Sequence, residues 1–231
     1  MGQALARALG EQKKNLVLMG RDKTALDALA ADVGIRYGVK AQVVPFEATD
    51  FASHGPLFND SLLDGAEGAI LCQGYLNDNS ASRVNFEEWK TTLDVNFTSV
   101  VSCLTPLANF FERKKRGFLC VVSSVAGVRG RQSNYVYGSA KAGVSTFLEG
   151  LRHRLFASGV SVTEIRPGFV DTSMTYGLPG LFLVAPPEKV AADILKGIQK
   201  KQAVRYTPIF WWGILTIIRC LPRFLFHRSK L

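Results

Sequence analysis

Little in this chain points to a metal, a disulfide framework or a bilayer-spanning segment. Its four cysteines, Cys72, Cys103, Cys120 and Cys220, are spaced neither like zinc ligands nor like a set of bridges. The first three lie in apolar runs, where a thiol acts as a small hydrophobe, and such usage fits a reducing cytoplasm. The three histidines, His54, His153 and His227, are scattered, so no metal is expected. Internal repeats, low-complexity tracts and long Pro/Gly linkers are missing, which argues against a second full domain. The first residues do not read as a secretory signal, so the sequon Asn96-Phe97-Thr98 is taken as accidental. No apolar run reaches the roughly 20 residues that a helix needs to cross a bilayer. Acidic residues stop at Asp193, and the whole chain sets 19 of them against 28 Lys and Arg, a formal charge of +9. No nucleic-acid recognition motif accompanies that charge, so a nucleic acid is not an expected partner.

What is present is ample material for one core. The 231 residues are 47% hydrophobic and 20% charged, enough for a single α/β domain. Short apolar runs, such as Phe118-Leu119-Cys120-Val121-Val122 and Val160-Ser161-Val162-Thr163-Glu164-Ile165, alternate with helix-like segments. That alternation predicts a Rossmann-like, doubly wound parallel sheet flanked by helices. The expected division is a domain over residues 1–206 and a basic, aromatic tail over 207–231.

Four side chains suggest chemistry. Tyr137 and Lys141 stand four apart in Tyr137-Gly138-Ser139-Ala140-Lys141, so on a helix both project from one face. A neighbouring ammonium favours phenolate and is expected to draw the tyrosine pKa down from about 10, making it a usable general acid. Tyr135 lies six residues from Lys141 and would point away from it. Ser124 follows the apolar run ending at Val122, which places its hydroxyl at the carboxyl edge of a buried strand, where open α/β sheets bind ligands.

Taken with the later Arg166-Pro167-Gly168, this order of motifs resembles the short-chain dehydrogenase/reductase family over nearly the whole chain. Leu93-Asp94-Val95-Asn96 resembles the segment that supplies the family's catalytic asparagine. The resemblance implies that Ser124 orients a substrate carbonyl and Tyr137 exchanges the proton. It also implies that Lys141 tunes the tyrosine and holds the nicotinamide ribose, and that Asn96 holds a water in the proton relay. A nicotinamide cofactor follows. Asn15-Leu16-Val17-Leu18-Met19-Gly20 ends in Arg21, and a basic residue there can accept a ribose 2′-phosphate, so NADP is expected over NAD. By the same resemblance Glu47 ends the strand near the adenine. Pro167, Gly168, Val170 and Thr172 then meet the nicotinamide, and residues Met174 to Val184 form a lid over the substrate.

Two departures stand out. The family's opening strand and its Thr-Gly-x-x-x-Gly-x-Gly turn are not found. Residues Met1 to Leu9 resemble the helix that follows that turn, with Gly2 at its last glycine, so the first strand is expected to be absent. Each backbone group that such a gap leaves buried without a partner costs on the order of 1 to 3 kcal/mol. The expectation is therefore that Met1 is not the true start, or that this is a truncated copy. Second, Leu71-Cys72-Gln73-Gly74 stands where the family has Asn-Asn-Ala-Gly, and only Gly74 matches. A catalytically silent, membrane-associated scaffold descended from a reductase is the alternative that these losses keep open.

The tail interleaves Arg219, Arg223, Arg228 and Lys230 with Ile209-Phe210-Trp211-Trp212 and Phe224. Rings and cations together suit an interfacial helix on anionic lipid, which would place the protein peripherally on the inner face of a membrane. A homo-oligomer contact is the competing use of the same residues. The tail also resembles the ending of decaprenylphosphoryl-2-keto-ribose reductases, which implies a hydrophobic or lipid-linked carbonyl, such as a keto-sugar, as substrate.

Overall fold

A computed structural model of the chain describes residues 1–76, 83–177 and 180–228. Six strands run in chain order: β1 (Leu16–Gly20), β2 (Ala41–Pro45), β3 (Gly68–Leu71), β4 (Phe118–Val122), β5 (Ser161–Pro167) and β6 (Val204–Thr207). All pairings are parallel. They fall into two sheets, a pair β1-β2 and a quartet β3-β4-β5-β6. Among the described residues no strand pairs with the second edge of β1 or of β3.

The helices are α1 (Gly2–Glu11), α2 (Lys23–Tyr37), α3 (Phe51–Leu57), α4 (Asp60–Leu63), α5 (Phe86–Leu93), α6 (Ser99–Lys114), α7 (Tyr135–Leu155), α8 (Pro187–Gln199), α9 (Phe210–Cys220) and α10 (Arg223–Phe226). Local chemistry sets several ends. Asp22 caps α2 by accepting from the Ala25 amide at 2.9 Å, and Gly38 closes that helix in the left-handed conformation that glycine adopts without strain.

The period-two alternation of β4 explains the three layers. Leu119 and Val121 pack with Leu104, Leu107, Phe111, Val144 and Leu148 of α6 and α7. Cys120 and Val122 face the other way, onto Ala4 and Leu5 of α1 and Val190 and Ile194 of α8. The tail is not a detached appendage. Thr207 belongs to β6 and is bonded to Asp193, while Trp211, Leu215 and Ile218 of α9 are buried against Val125, Val128, Phe169 and Tyr206. No described helix is long and apolar enough to cross a membrane.

Candidate active site

Because every strand is parallel, the residues after β1, β2, β3, β4 and β5 share one edge of the molecule. Ser124 leaves β4 there and starts a short 3-10 turn, Val125–Gly127, with its Oγ accepting from the Ala126 amide at 3.1 Å. Helix α7 presses against that turn. A Cβ on Gly138 would lie 2.9 Å from the Ala126 carbonyl oxygen, and one on Gly127 would lie 2.8 Å from the Ala142 nitrogen. These two glycines permit the close approach of α7 to the turn, and the Ser124 hydroxyl is near enough to the Tyr137 phenol to pull its pKa down.

Lys141, one turn along the same helix, is 2% exposed. Its Nζ sits 5.6 Å from the Tyr137 ring centroid and donates to the Val122 carbonyl at 3.4 Å. Asn96 is fully buried in a π-helical turn, Asp94–Thr98, a distortion often found at functional sites. Its Oδ1 accepts from the Tyr75 amide at 3.1 Å, and its Nδ2 donates to the Tyr75 and Thr92 carbonyls at 2.7 and 2.9 Å. Both amide hydrogens are therefore used, leaving one oxygen lone pair for anything else. Gly74 joins the two groups: a Cβ there would be 3.5 Å from Asn96 Oδ1, 3.9 Å from Lys141 Nζ and 3.3 Å from Met174 Cε.

Residues 1–179 match the family described as short chain dehydrogenase. The chain belongs to that family. Uncharacterized oxidoreductases of Mycobacterium tuberculosis and Streptomyces coelicolor are 35% and 32% identical to it over 230 and 235 residues, covering 99% of this chain and 92% and 91% of theirs. The fold is that of a short-chain dehydrogenase from Sphingobium yanoikuyae solved with NADPH, with a TM-score of 0.81 at 23% identity over 99% of this chain and 91% of that one.

The electrostatics of this dehydrogenase site differ from the expectation in one respect. Burial pushes the Tyr137 phenol up to about 12, opposed only by the nearby Ser124 hydroxyl. The expected lowering by Lys141 does not appear, because burial strips the ammonium too and brings the lysine down to about 8, partly offset by Cys72 and Glu164. Tyr135, by contrast, is 42% exposed and uses its carbonyl for Ser139.

The cofactor candidates divide. Arg21 is exposed directly after β1 with no partner among the described residues, and Asp22 is committed to its cap. Gly2 opens α1 with no atom within 4 Å of where a Cβ would be. Glu47 turns its carboxylate onto Thr49, and its carbonyl meets buried His54, whose other ring nitrogen bonds Ser102. Pro167 ends β5, and Gly168 lies under Trp211, whose indole nitrogen would be 1.9 Å from a Cβ there. Val170 forms a β-bridge with Ala185, and Thr172 is held through Thr175. The expected lid includes residues 178 and 179, outside the described residues. Gln73 reaches Ser99 at 3.4 Å and Cys103, so it ties β3 to α6.

Sequence reasoning missed Gly127, Gly138 and His54, and it read Trp211 as part of a lipid-facing run where the structure buries it over Gly168. The small-residue steps around Ser124 and Tyr137 were the available signal for the glycines. Nothing local marked His54, which acts through residues distant in sequence.

Proposed function

We propose that this oxidoreductase is an NADP(H)-dependent ketoreductase acting on a hydrophobic or lipid-linked carbonyl. The observation that carries the reading is the Tyr137 phenol close to the Ser124 hydroxyl and beside buried Lys141. When bound, NADPH supplies the hydride. Arg21 holds its 2′-phosphate, and Lys141 with Gly74, Pro167, Gly168, Val170 and Thr172 forms the nicotinamide side. Gly2, at the amino end of α1, and Glu47 stand toward the pyrophosphate and adenine. Ser124 steadies the carbonyl oxygen, and Tyr137 protonates it. A phenol with a pKa near 12 is a poor base but remains a proton donor at neutral pH, which suits reduction. Asn96 fixes the loop after β3 that frames the site.

NADPH oxidation with a panel of ketones tests this reading. Tyr137→Phe is expected to lower turnover by roughly 100- to 10,000-fold, the range of general acid catalysis, with little change in folding. Near-normal turnover would remove Tyr137 from the chemistry. If the wild-type chain does not bind NADPH at all, the silent-scaffold reading replaces this one.

The tail supports a membrane surface as partner. Buried Trp211, Leu215 and Ile218 fix α9 to the domain, while Phe210, Trp212 and Ile217 remain exposed, along with Phe224 on α10. Phe182 and Leu183 are exposed on the lid segment, and Phe182 touches Trp211. Arg129, Arg219 and Arg223 supply nearby cations. Arg129 also binds the last carbonyls of α9, including Leu221 at 2.8 Å, and stacks on Phe226. Flotation with anionic liposomes is expected for the full chain and lost when Phe210, Trp212 and Ile217 become serine. Unchanged flotation would reject the surface, and dimerisation without flotation would assign the face to a second copy.

A further inference from the structure

The turn Arg131–Asn134 closes with the Asn134 amide donating to the Arg131 carbonyl at 3.1 Å, and it leads directly into α7. It lies between Ser124 and Tyr137, at the same helix end as the tyrosine. Arg131 is the unusual member. Its Nε is buried with no hydrogen-bond partner, and no ion pair reaches its guanidinium among the described residues. Burial alone holds its pKa below the ordinary value, with no anion raising it. Other half-buried arginines here are engaged: Arg166 pairs with Glu164 and Arg205 with Asp193, while Arg129 and Arg152 donate to backbone carbonyls. A desolvated guanidinium without a counter-charge is costly, so its persistence calls for a ligand that supplies one.

Independent features converge on the same turn. Helix α7 has no acidic residue in its first turn and no side-chain cap, so the positive end of its dipole is left open. Arg83 donates to the Gln132 carbonyl at 3.0 Å, which joins the turn to a groove of about 300 Å³ lined by Arg83, Val84, Asn85 and the stacked pair Phe86 and Trp89. Arg83 thus belongs both to the groove and to the turn that carries Arg131.

We propose that Arg131 is a specificity residue that binds an oxyanion, a carboxylate or phosphate, on the carbonyl substrate, while the rest of that substrate lies in the Phe86 and Trp89 groove. The inference rests on the ketoreductase reading and adds that the preferred ketones are anionic. A planar guanidinium offers parallel donors to either group.

Matched substrates test it: ethyl 3-oxohexanoate against 3-oxohexanoate for a carboxylate, and dihydroxyacetone against its phosphate for a phosphate. Wild type is expected to favour the charged member of at least one pair, and which pair identifies the source. Arg131→Ala should raise KM for that charged member about tenfold or more, with kcat within about twofold and the neutral member unaffected. Arg131→Lys should restore part of the loss. A second readout does not need turnover. With NADPH saturating, inorganic phosphate should raise the wild-type melting temperature more than potassium chloride of equal ionic strength, and Arg131→Ala should abolish the difference. No preference in wild type, equal effects of Arg131→Ala on both members, or a phosphate effect that survives Arg131→Ala would each overturn the proposal. Loss of the ketoreductase reading would instead appear as absence of NADPH binding.

Discussion

The quartet β3 to β6 and the pair β1-β2 are built from similar apolar runs and end up in different environments. In β4 and β5 nearly every residue is buried, and α6 and α7 cover one face while α1 and α8 cover the other. In β1 and β2 no residue is fully buried, and the cluster beneath them has only Ala6, Leu29, Val33 and Val39 at its centre. The lesson is that the residues read as catalytic sit on the finished half of the sheet, whereas Arg21 and Glu47 sit on the half with an open edge. The residues proposed for substrate chemistry and those proposed for cofactor selection therefore rest on supports of unequal burial.

Two equal truncations would break that comparison most sharply. Leu148 in α7 is fully buried in the larger cluster, and Leu29 in α2 is nearly buried in the smaller one. Leu to Ala in a core costs roughly 2 to 5 kcal/mol, more where surroundings cannot collapse into the cavity. Urea unfolding should place Leu148→Ala near the top of that range and Leu29→Ala at or below its bottom. Equal losses would mean that the pair is as firmly held as the quartet.

The same asymmetry governs what could be read from the chain. The parallel sheet, the strand ending at Ser124 and the Tyr137 and Lys141 pair were legible because each depends on local periodicity: alternate burial in β4, four-residue spacing in α7. The split between β1 and β3 was legible only through resemblance, since neither strand's own residues say what lies beside it. The pKa of Tyr137 was misjudged because spacing shows which groups are neighbours but not how far both are removed from water. At that depth desolvation outweighs the mutual effect of phenol and amine. The docking of α9 through Trp211 onto Gly168 was equally hidden, because an aromatic run reads the same whether its partner is lipid, another copy or its own domain.

Lys141 sharpens the comparison further, since the finished half also contains a cation whose burial lowers stability. Its pKa falls from 10.5 to about 8 because burial disfavours the ammonium. Below pH 8 both folded and unfolded chains are protonated, and the fold bears the full cost of that charge. Between about 8 and 10.5 the unfolded chain keeps the proton while the folded one sheds it, so stability rises with pH through that window; above it the cost is gone. The shift corresponds to about 3 kcal/mol. Lys141→Met, which keeps the length and removes the charge, should therefore stabilise the protein by about that amount in urea at pH 7. The gain should shrink at pH 9.5, still below the range in which Tyr137 ionises, while ketone reduction is lost at both pH values. A gain that did not change with pH would show that Lys141 keeps an ordinary pKa in the fold, its ammonium charged and well solvated, and would remove the burial cost from beside Tyr137.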